Sequence, residues 1–438
     1  MQAAASGVRS GRTIRFRRDT MGIVAAVACG LLLSGHFHVA AAGLNLWTNS
    51  GPQGAVVIAL AVDPVTAGTV YAGTAGKGVF KSMDGGATWH SANVGLGDFY
   101  IQDLLVDPNS PTTLYAAAPN QGVFKSINGA DSWSAIDAGL PSEAAHLLAI
   151  DPNTSTLFVA VNDGVYKSYD GGGFWMPTAL EMRGDLVSGD DVSLRAALDC
   201  LTVDRTTGTL YACLYLLVSP LGAGWQLLKS NDAGATWDEI STPPAGAPIG
   251  MAIEPTAPAA LYVATFDVLT TTYAVAKSAD GGMSWTPVGG AMPGCEGDCR
   301  LTAIAVDAAR PSTVYAATDN GVYKCTDGAA EWTPLNTGLA GTPIITVAVE
   351  SADSSSAYAA TSGGVFAIHQ APSCRGDCDG NKKVSVDELI AAVGIALGRQ
   401  TMPVCAAADG GTDGQITVSD VIAAVDSALL GCAEVNRP

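Results

Sequence analysis

Positive charge is what this chain of 438 residues has least of: 22 Lys and Arg face 41 Asp and Glu, a net charge of −19. Without residues 1–42, which hold five Arg and one Asp, 17 basic and 40 acidic residues remain, a net charge of −23. That deficit argues against nucleic acid and anionic membrane as partners, because both need clustered cations. It suits a soluble extracellular protein that binds Ca2+. Histidine is nearly absent: of five, only His90, His146 and His369 lie beyond residue 42. There is no three-His set and no His-x-x-x-His spacing for zinc, and Ser/His/Asp or Cys/His catalysis has no local support. The apolar run Met21–Leu33 is shorter than the roughly 20 residues that cross a bilayer, so no transmembrane span is expected after processing.

That run reads as the core of a targeting segment over residues 1–42. Arg15, Arg17 and Arg18 precede it, and Ala40-Ala41-Ala42 follows as a cleavage site. Translation could start at Met1 or Met21. Export to the cell surface or medium is expected, with a mature protein from about Gly43. Nine Cys then remain, which suits an oxidising compartment with one thiol left over.

What the chain does have is repetition. Ser82 to Trp89 reads Ser-x-Asp-x-Gly-x-x-Trp, and the spacing returns in full at Ser168–Trp175, Ser230–Trp237 and Ser278–Trp285. Two copies are degraded: Ser126–Trp133, with Asn128 for Asp, and Cys325–Trp332, which keeps Asp327 but has Cys325 for Ser. A β-rich run leads into each copy, a Gly-rich turn follows, and an apolar strand opens on the Trp, which is a hairpin signal. Asp84, Asn128, Asp170, Asp232, Asp280 and Asp327 can bond backbone amides inside their turns. Trp89, Trp133, Trp175, Trp237, Trp285 and Trp332 are anchors, each worth at most about 5 kcal/mol of ring burial. These residues therefore read as structural and not as a catalytic set.

The whole repeat has four strands and a period of about 44 residues. Its first strand ends in an acid: Asp63, Asp107, Asp151, Asp204, Glu254, Asp307 and Glu350 in turn. Seven such strands predict an all-β, seven-bladed β-propeller over residues 43–370. The seventh repeat lacks box and Trp, and Leu46-Trp47-Thr48 supplies the missing piece, so the N-terminal strand should complete the last blade. Alanine stands two before five of the seven acids, as at Ala61, Ala149 and Ala348, with Leu105 and Thr202 in the other two, which suits a crowded central tunnel; residues one and three before the acid are nearly all branched and suit packing between blades. The acids themselves read as turn caps.

The box pattern resembles the Asp-box (BNR) repeat of sortilin-type, sialidase, xyloglucan-hydrolase and photosystem II assembly-factor propellers. Three functions follow from that resemblance: extracellular binding of glycan or protein, glycoside hydrolysis of a polysaccharide, and assembly-factor action. A sialidase would need an Arg triad and a Tyr–Glu pair, and no Arg-Ile-Pro-type motif is present. Of twelve basic residues in the propeller, six are the Lys before each box. Arg183, Arg195 and Arg300 are the three left for the other face.

Insertions fall at Met176–Ala197, Leu214–Gln226, Phe266–Tyr273 and Pro287–Arg300, all on the face opposite the boxes. Elaborated loops on a rigid scaffold are where binding usually resides. The candidate ligand residues are Asp103, His146, Glu181, Arg183, Asp185, Asp190, Asp191, Arg195, Trp225, Tyr273, Asp298 and Arg300, with Phe99, Tyr100, Tyr215, Phe266 and Glu296 beside them. Any pair of the acids could serve glycoside hydrolysis, but none stands out. Cys200 and Cys213 fall on neighbouring strands, Cys295 and Cys299 bound a short loop, and Cys325 is the odd buried thiol.

Residues 371–438 change character. Asp377, Asp379, Asn381, Lys383 (through its carbonyl), Ser385 and Glu388 hold positions 1, 3, 5, 7, 9 and 12 of an EF-hand loop, the spacing that wraps one Ca2+. Lys382 replaces the usual Gly at position 6. A second loop offers Asp409, Asp413, Gln415, Thr417 and Asp420, with Gly411 leaving position 3 without a side-chain ligand. Each loop precedes an apolar helix. The pair resembles a type I dockerin, a small all-α module, which implies Ca2+ as cofactor and a cohesin-like partner. The residues that meet cohesin in that family are Ser/Thr-type pairs; Val386-Asp387 and Val418-Ser419 stand there instead. Cys374, Cys378, Cys405 and Cys432 are expected to staple the module.

Overall fold

A computed structural model describes residues 46–369, apart from 98, 142–143, 182–192, 220–221, 244–245, 257–258, 268, 291, 296–298, 312, 327–330, 340 and 351–355, together with 386–396, 421–422 and 424–425. The residues proposed for signal and cleavage, and the Ca2+ ligands other than Glu388, lie outside these. Glu388 falls in the helix Val386–Ala396. That helix and the helical residues 421, 422, 424 and 425 stand where the two loops would be followed by helices, but do not by themselves make a two-loop domain.

The strands form seven antiparallel four-stranded sheets. Their first strands, from Val57–Val62 in blade 1 to Ile344–Val349 in blade 7, each touch the next, and the last touches the first. The ring is therefore closed, and its seam is the one the repeats imply. Thr48–Gly51 is the outer strand of blade 7, paired antiparallel to Gly364–His369 with Thr48 opposite Ala367. Second strands such as Leu114–Ala118 and Val314–Thr318 are buried throughout, because neighbouring blades cover both faces.

Blades meet small side against large. Ala59 and Ala61 pack on Leu104 and Val106 of the next blade, and Ala303 and Ala305 on Val347 and Val349. The small residues thus serve the interface between blades as well as the tunnel wall.

In each complete box one hydroxyl does two jobs. Ser82 Oγ donates to Asp84 Oδ1 (2.8 Å) and accepts the Gly86 amide (2.9 Å), while Thr88 donates its amide (2.8 Å) to Oδ1 and its hydroxyl (2.6 Å) to Oδ2 of Asp84. The blade 4 and blade 5 boxes repeat all four bonds. Asn128 keeps the network in the degraded copy, with its amide now donating to Ser132 Oγ (2.9 Å). The box Asp residues are consequently held below the usual carboxylate range, Asp232 down to about 2 through its bonds from Thr236 and Ser230.

Two further stitches cross between blades. Indole N–H groups donate to the preceding blade's fourth strand: Trp133 to the Ala92 carbonyl (2.8 Å), Trp175 to Ile136 (2.6 Å), Trp285 to Ser241 (2.7 Å). The box lysines reach forward: Lys81 to the Gly129 carbonyl (2.8 Å), Lys125 to Gly171 (2.9 Å), Lys167 to Ala233 (2.8 Å). Lys277 instead pairs with Glu254 (3.0 Å). The other terminal acids cap turns: Asp63 Oδ1 accepts the Val65 and Thr66 amides, and Glu350 accepts the Gly68 amide of blade 1 (2.6 Å). Disulfides join Cys200 to Cys213 and Cys295 to Cys299, and Cys325 is buried outside both.

Candidate binding face

Strand direction fixes which groups share a face. First strands run toward the acid turns, so the fourth-to-first connections and the second-to-third hairpins emerge together on the opposite side from the boxes. On that side blade 4 stands out. Its first three strands, Ser193–Val203, Leu210–Ser219 and Gly222–Ser230, are the longest in the ring. Pairing continues without a break from Leu210 opposite Ser230 to Val218 opposite Gly222. The insertion Leu214–Gln226 is therefore a prolonged sheet and not a loop, because residues 214–218 keep cross-strand partners in residues 222–226. In blade 5, Leu261–Asp267 and Thr272–Ser278 form the same kind of hairpin.

Each hairpin carries an aromatic pair in direct register. Tyr215 lies opposite Trp225, ring centroids 5.7 Å apart, and Phe266 lies opposite Tyr273 at 4.7 Å. All four rings are half-buried. Leu269 at the blade 5 tip is 91% exposed. Phe99 and Tyr100 are exposed between blades 1 and 2, where the Phe99 carbonyl accepts the Gly76 and Gly78 amides.

Closer to the axis, Asp103 accepts the Leu104 amide on Oδ1 (2.8 Å) and the Leu148 amide of blade 3 on Oδ2 (2.8 Å). Burial outweighs those two bonds and raises its carboxyl to about 7. His146 Nε2 lies 2.8 Å from Asn162 Oδ1. The Arg300 amide donates to Asp319 Oδ1 (2.9 Å). Glu181 and Arg195 lie on strands, Met176–Glu181 and Ser193–Val203, with side chains outside the described ones. Arg183, Asp185, Asp190, Asp191, Glu296 and Asp298 lie outside the described residues, as does Asp327 of the last box.

No protein-family model matches the chain, and no curated protein matches it. Solved structures do. A GH74 xyloglucanase from Xanthomonas campestris is similar with a TM-score of 0.56 at 21% identity, over 73% of this chain and 53% of that one. YCF48 from Cyanidioschyzon merolae is similar at 0.52 and 14%, over 74% and 98%. YCF48 bound to D1 peptide is similar at 0.54 and 15%, over 76% and 100%. At such identities the likeness shows the fold: a seven-bladed propeller. The chain spans about half the length of the GH74 enzymes it matches.

Two polar residues of this face escape a motif reading. First strands carry a bulge five residues before the acid, at Ile58, His146, Asp199, Ile249, Thr302 and Ile345. In blade 2 the equivalent residue is Gln102, whose amide meets the Ala117 carbonyl that also faces Asp103. Gln102, His146 and Asp199 thus make a polar arc across blades 2 to 4, where four of the other positions are occupied by three Ile and a Thr. Burial pushes the Asp199 carboxyl up. Counting back from the terminal acid would have found both Gln102 and Asp199.

Proposed function

We propose that this is an exported binding protein of the Asp-box propeller type, whose face opposite the boxes recognises a glycan or protein ligand. The observation that carries the reading is the pair of prolonged hairpins in adjacent blades, each presenting a registered aromatic pair. Aromatic rings offer flat apolar area with little side-chain entropy to lose, and the polar arc of Gln102, His146 and Asp199 offers hydrogen bonds beside them. The net negative charge favours a neutral glycan over an acidic one. A xyloglucanase and a peptide-bound propeller among the similar structures agree with either ligand class. Residues 371–438 would bind Ca2+ and attach the propeller to a cohesin-like partner.

Glycoside hydrolysis is the second reading, and one feature favours it: Asp103 can hold a proton near neutral pH, as a general acid must. Against it, both Asp103 oxygens already accept backbone amides, and hydrolysis needs a second carboxyl across a cleft. The deciding experiment is a glycan array together with product assays on polysaccharides. Retention without products supports binding; reducing ends released by the wild type and lost in Asp103→Asn would move the assignment to hydrolysis.

A further inference from the structure

The acid-turn end of the central tunnel holds a cavity of about 320 Å3, walled by six of the seven blades. The residue after the terminal acid faces it in five of them: Pro64, Pro108, Pro255 and Ala308 are apolar, and only Arg205 of blade 4 is charged. Glu254 is also on the wall, but its Oε1 is taken by Lys277 Nζ (3.0 Å) and the Tyr262 hydroxyl (2.8 Å). The nearest carboxylate in sequence, Asp204, is occupied within its own turn by the Thr206 amide and the Thr206 and Thr207 hydroxyls. Among the described residues no carboxylate pairs with the Arg205 guanidinium. Arg205 is exposed to solvent at the open end, and the wall beside it pushes its pKa down by partial desolvation.

Arg205 is therefore an exposed guanidinium on the cavity wall with no described carboxylate holding it. Its planar fork matches carboxylate and phosphate oxygens bidentately. The first strand of every blade is an inner edge with one sheet neighbour, so it also leaves unpaired backbone groups toward the tunnel. We propose that Arg205 makes this cavity a binding site for one small oxyanion, a carboxylate or a phosphate. The cavity sits near the lower bound of ligand pockets, about 300 Å3, which limits the guest to a few heavy atoms beyond the anionic group. The site lies on the opposite side of the ring from the aromatic pairs and does not depend on them.

Titration calorimetry on the full chain tests this, with sodium phosphate and sodium malonate as probes and sodium chloride as control. One oxyanion per chain should bind in the millimolar range. Arg205→Gln should weaken it by about tenfold or more, and Arg205→Lys, which keeps the charge but loses the fork, should fall between that variant and the wild type. Arg205→Pro, which restores the residue of the neighbouring turns, gives a second charge-free variant should the Gln form fold poorly. Phosphate binding without malonate names an inorganic or phosphorylated guest, and malonate without phosphate names an organic acid. Equal binding to wild type and both charge-free variants, chloride heats matching those of the probes, or no heat with either probe would overturn the proposal.

Discussion

Trp47 donates its indole N–H to the Leu335 carbonyl at 2.6 Å, joining residues 288 positions apart in the chain. Its amide also meets the Thr337 carbonyl (2.9 Å), and its ring is 2% exposed. The first described strand is thus held both to blade 7 and to blade 6.

Trp47→Ala is expected to cost about 3–5 kcal/mol, the range for a large aromatic removed from a packed site. Chemical denaturation would measure it. The indole contribution can be isolated by Trp→Phe changes at other repeats. Trp89 and Trp237 Nε1 are buried without a partner, whereas Trp175 Nε1 donates to Ile136. Trp175→Phe should therefore cost about 1 kcal/mol more than Trp89→Phe, the net worth of one hydrogen bond.

What the repeats spelled out, the coordinates reproduce, because each relation recurs several times along the chain. The blade count, the seam at Thr48–Gly51 and the capping acids are of this kind. Features that occur once were harder to see. Leu214–Gln226 looked like a lengthened connection, since a short apolar run does not announce which residues will pair. The unpartnered indoles of Trp89 and Trp237 follow the seam and the Met176–Ala197 insertion, where the neighbouring fourth strand departs from the repeat. Arg205 stands next to a terminal acid in the sequence like any turn residue; only the closed ring places it against a cavity.

The box glycine answers to its neighbour as much as to its own turn. Gly172 has φ +93°, and a Cβ there would lie 2.2 Å from Ile136 Cδ1 of the preceding blade. The box of blade 2 has Ala130 at φ 71°, clustered with Ala92, the counterpart of Ile136. Gly172→Ala should thus cost about 2–4 kcal/mol, strain and overpacking together. In an Ile136→Ala background the same change should cost about 1–2 kcal/mol, the strain alone. A double-mutant cycle with no coupling would contradict this reading.

Asp103 and the boxes should pull stability in opposite directions with pH. Box carboxylates such as Asp232, with a folded pKa of about 2 below its unfolded value, contribute stability above about pH 4 that is lost as pH falls toward 2. Asp103 is raised to about 7, so its contribution is complete below about pH 4 and is lost as pH rises to 7. The slope from one such proton is at most about 1.4 kcal/mol per pH unit. Melting of Asp103→Asn across pH 4 to 7 should lack this decline; an unaltered profile would show that Asp103 does not titrate there.

Calcium removal should act on the tail alone. With a chelator, an early thermal transition is expected to fall while that of the propeller stays, and Asp377→Ala should do the same, because an EF-hand loop cannot gather its six to eight oxygens without its first ligand. Scanning calorimetry of the full chain would separate the two transitions; unchanged melting in both cases would remove Ca2+ from the account.

The aromatic pairs provide the sharpest test of the binding face. Trp225 and Tyr273 are half-buried, opposite Tyr215 and Phe266 in their hairpins; neither belongs to a box, but Tyr273 also packs against the apolar cluster shared by blades 5 and 6. Truncating Trp225 should leave the melting temperature nearly unchanged, since its ring packs chiefly on Tyr215, whereas Tyr273→Ala should lower it modestly through the lost contact with the blade 5 and blade 6 cluster. For a glycan ligand, each ring lost should weaken retention on immobilised polysaccharide by about tenfold, the effect of removing one well-packed aromatic contact. Trp225→Ala and Tyr273→Ala together should do more than either alone if one ligand spans both blades, and no more than the worse of the two if only one hairpin is used. Full retention in the double variant would move recognition away from blades 4 and 5, leaving Phe99 and Tyr100 between blades 1 and 2 as the exposed aromatics on that side of the ring.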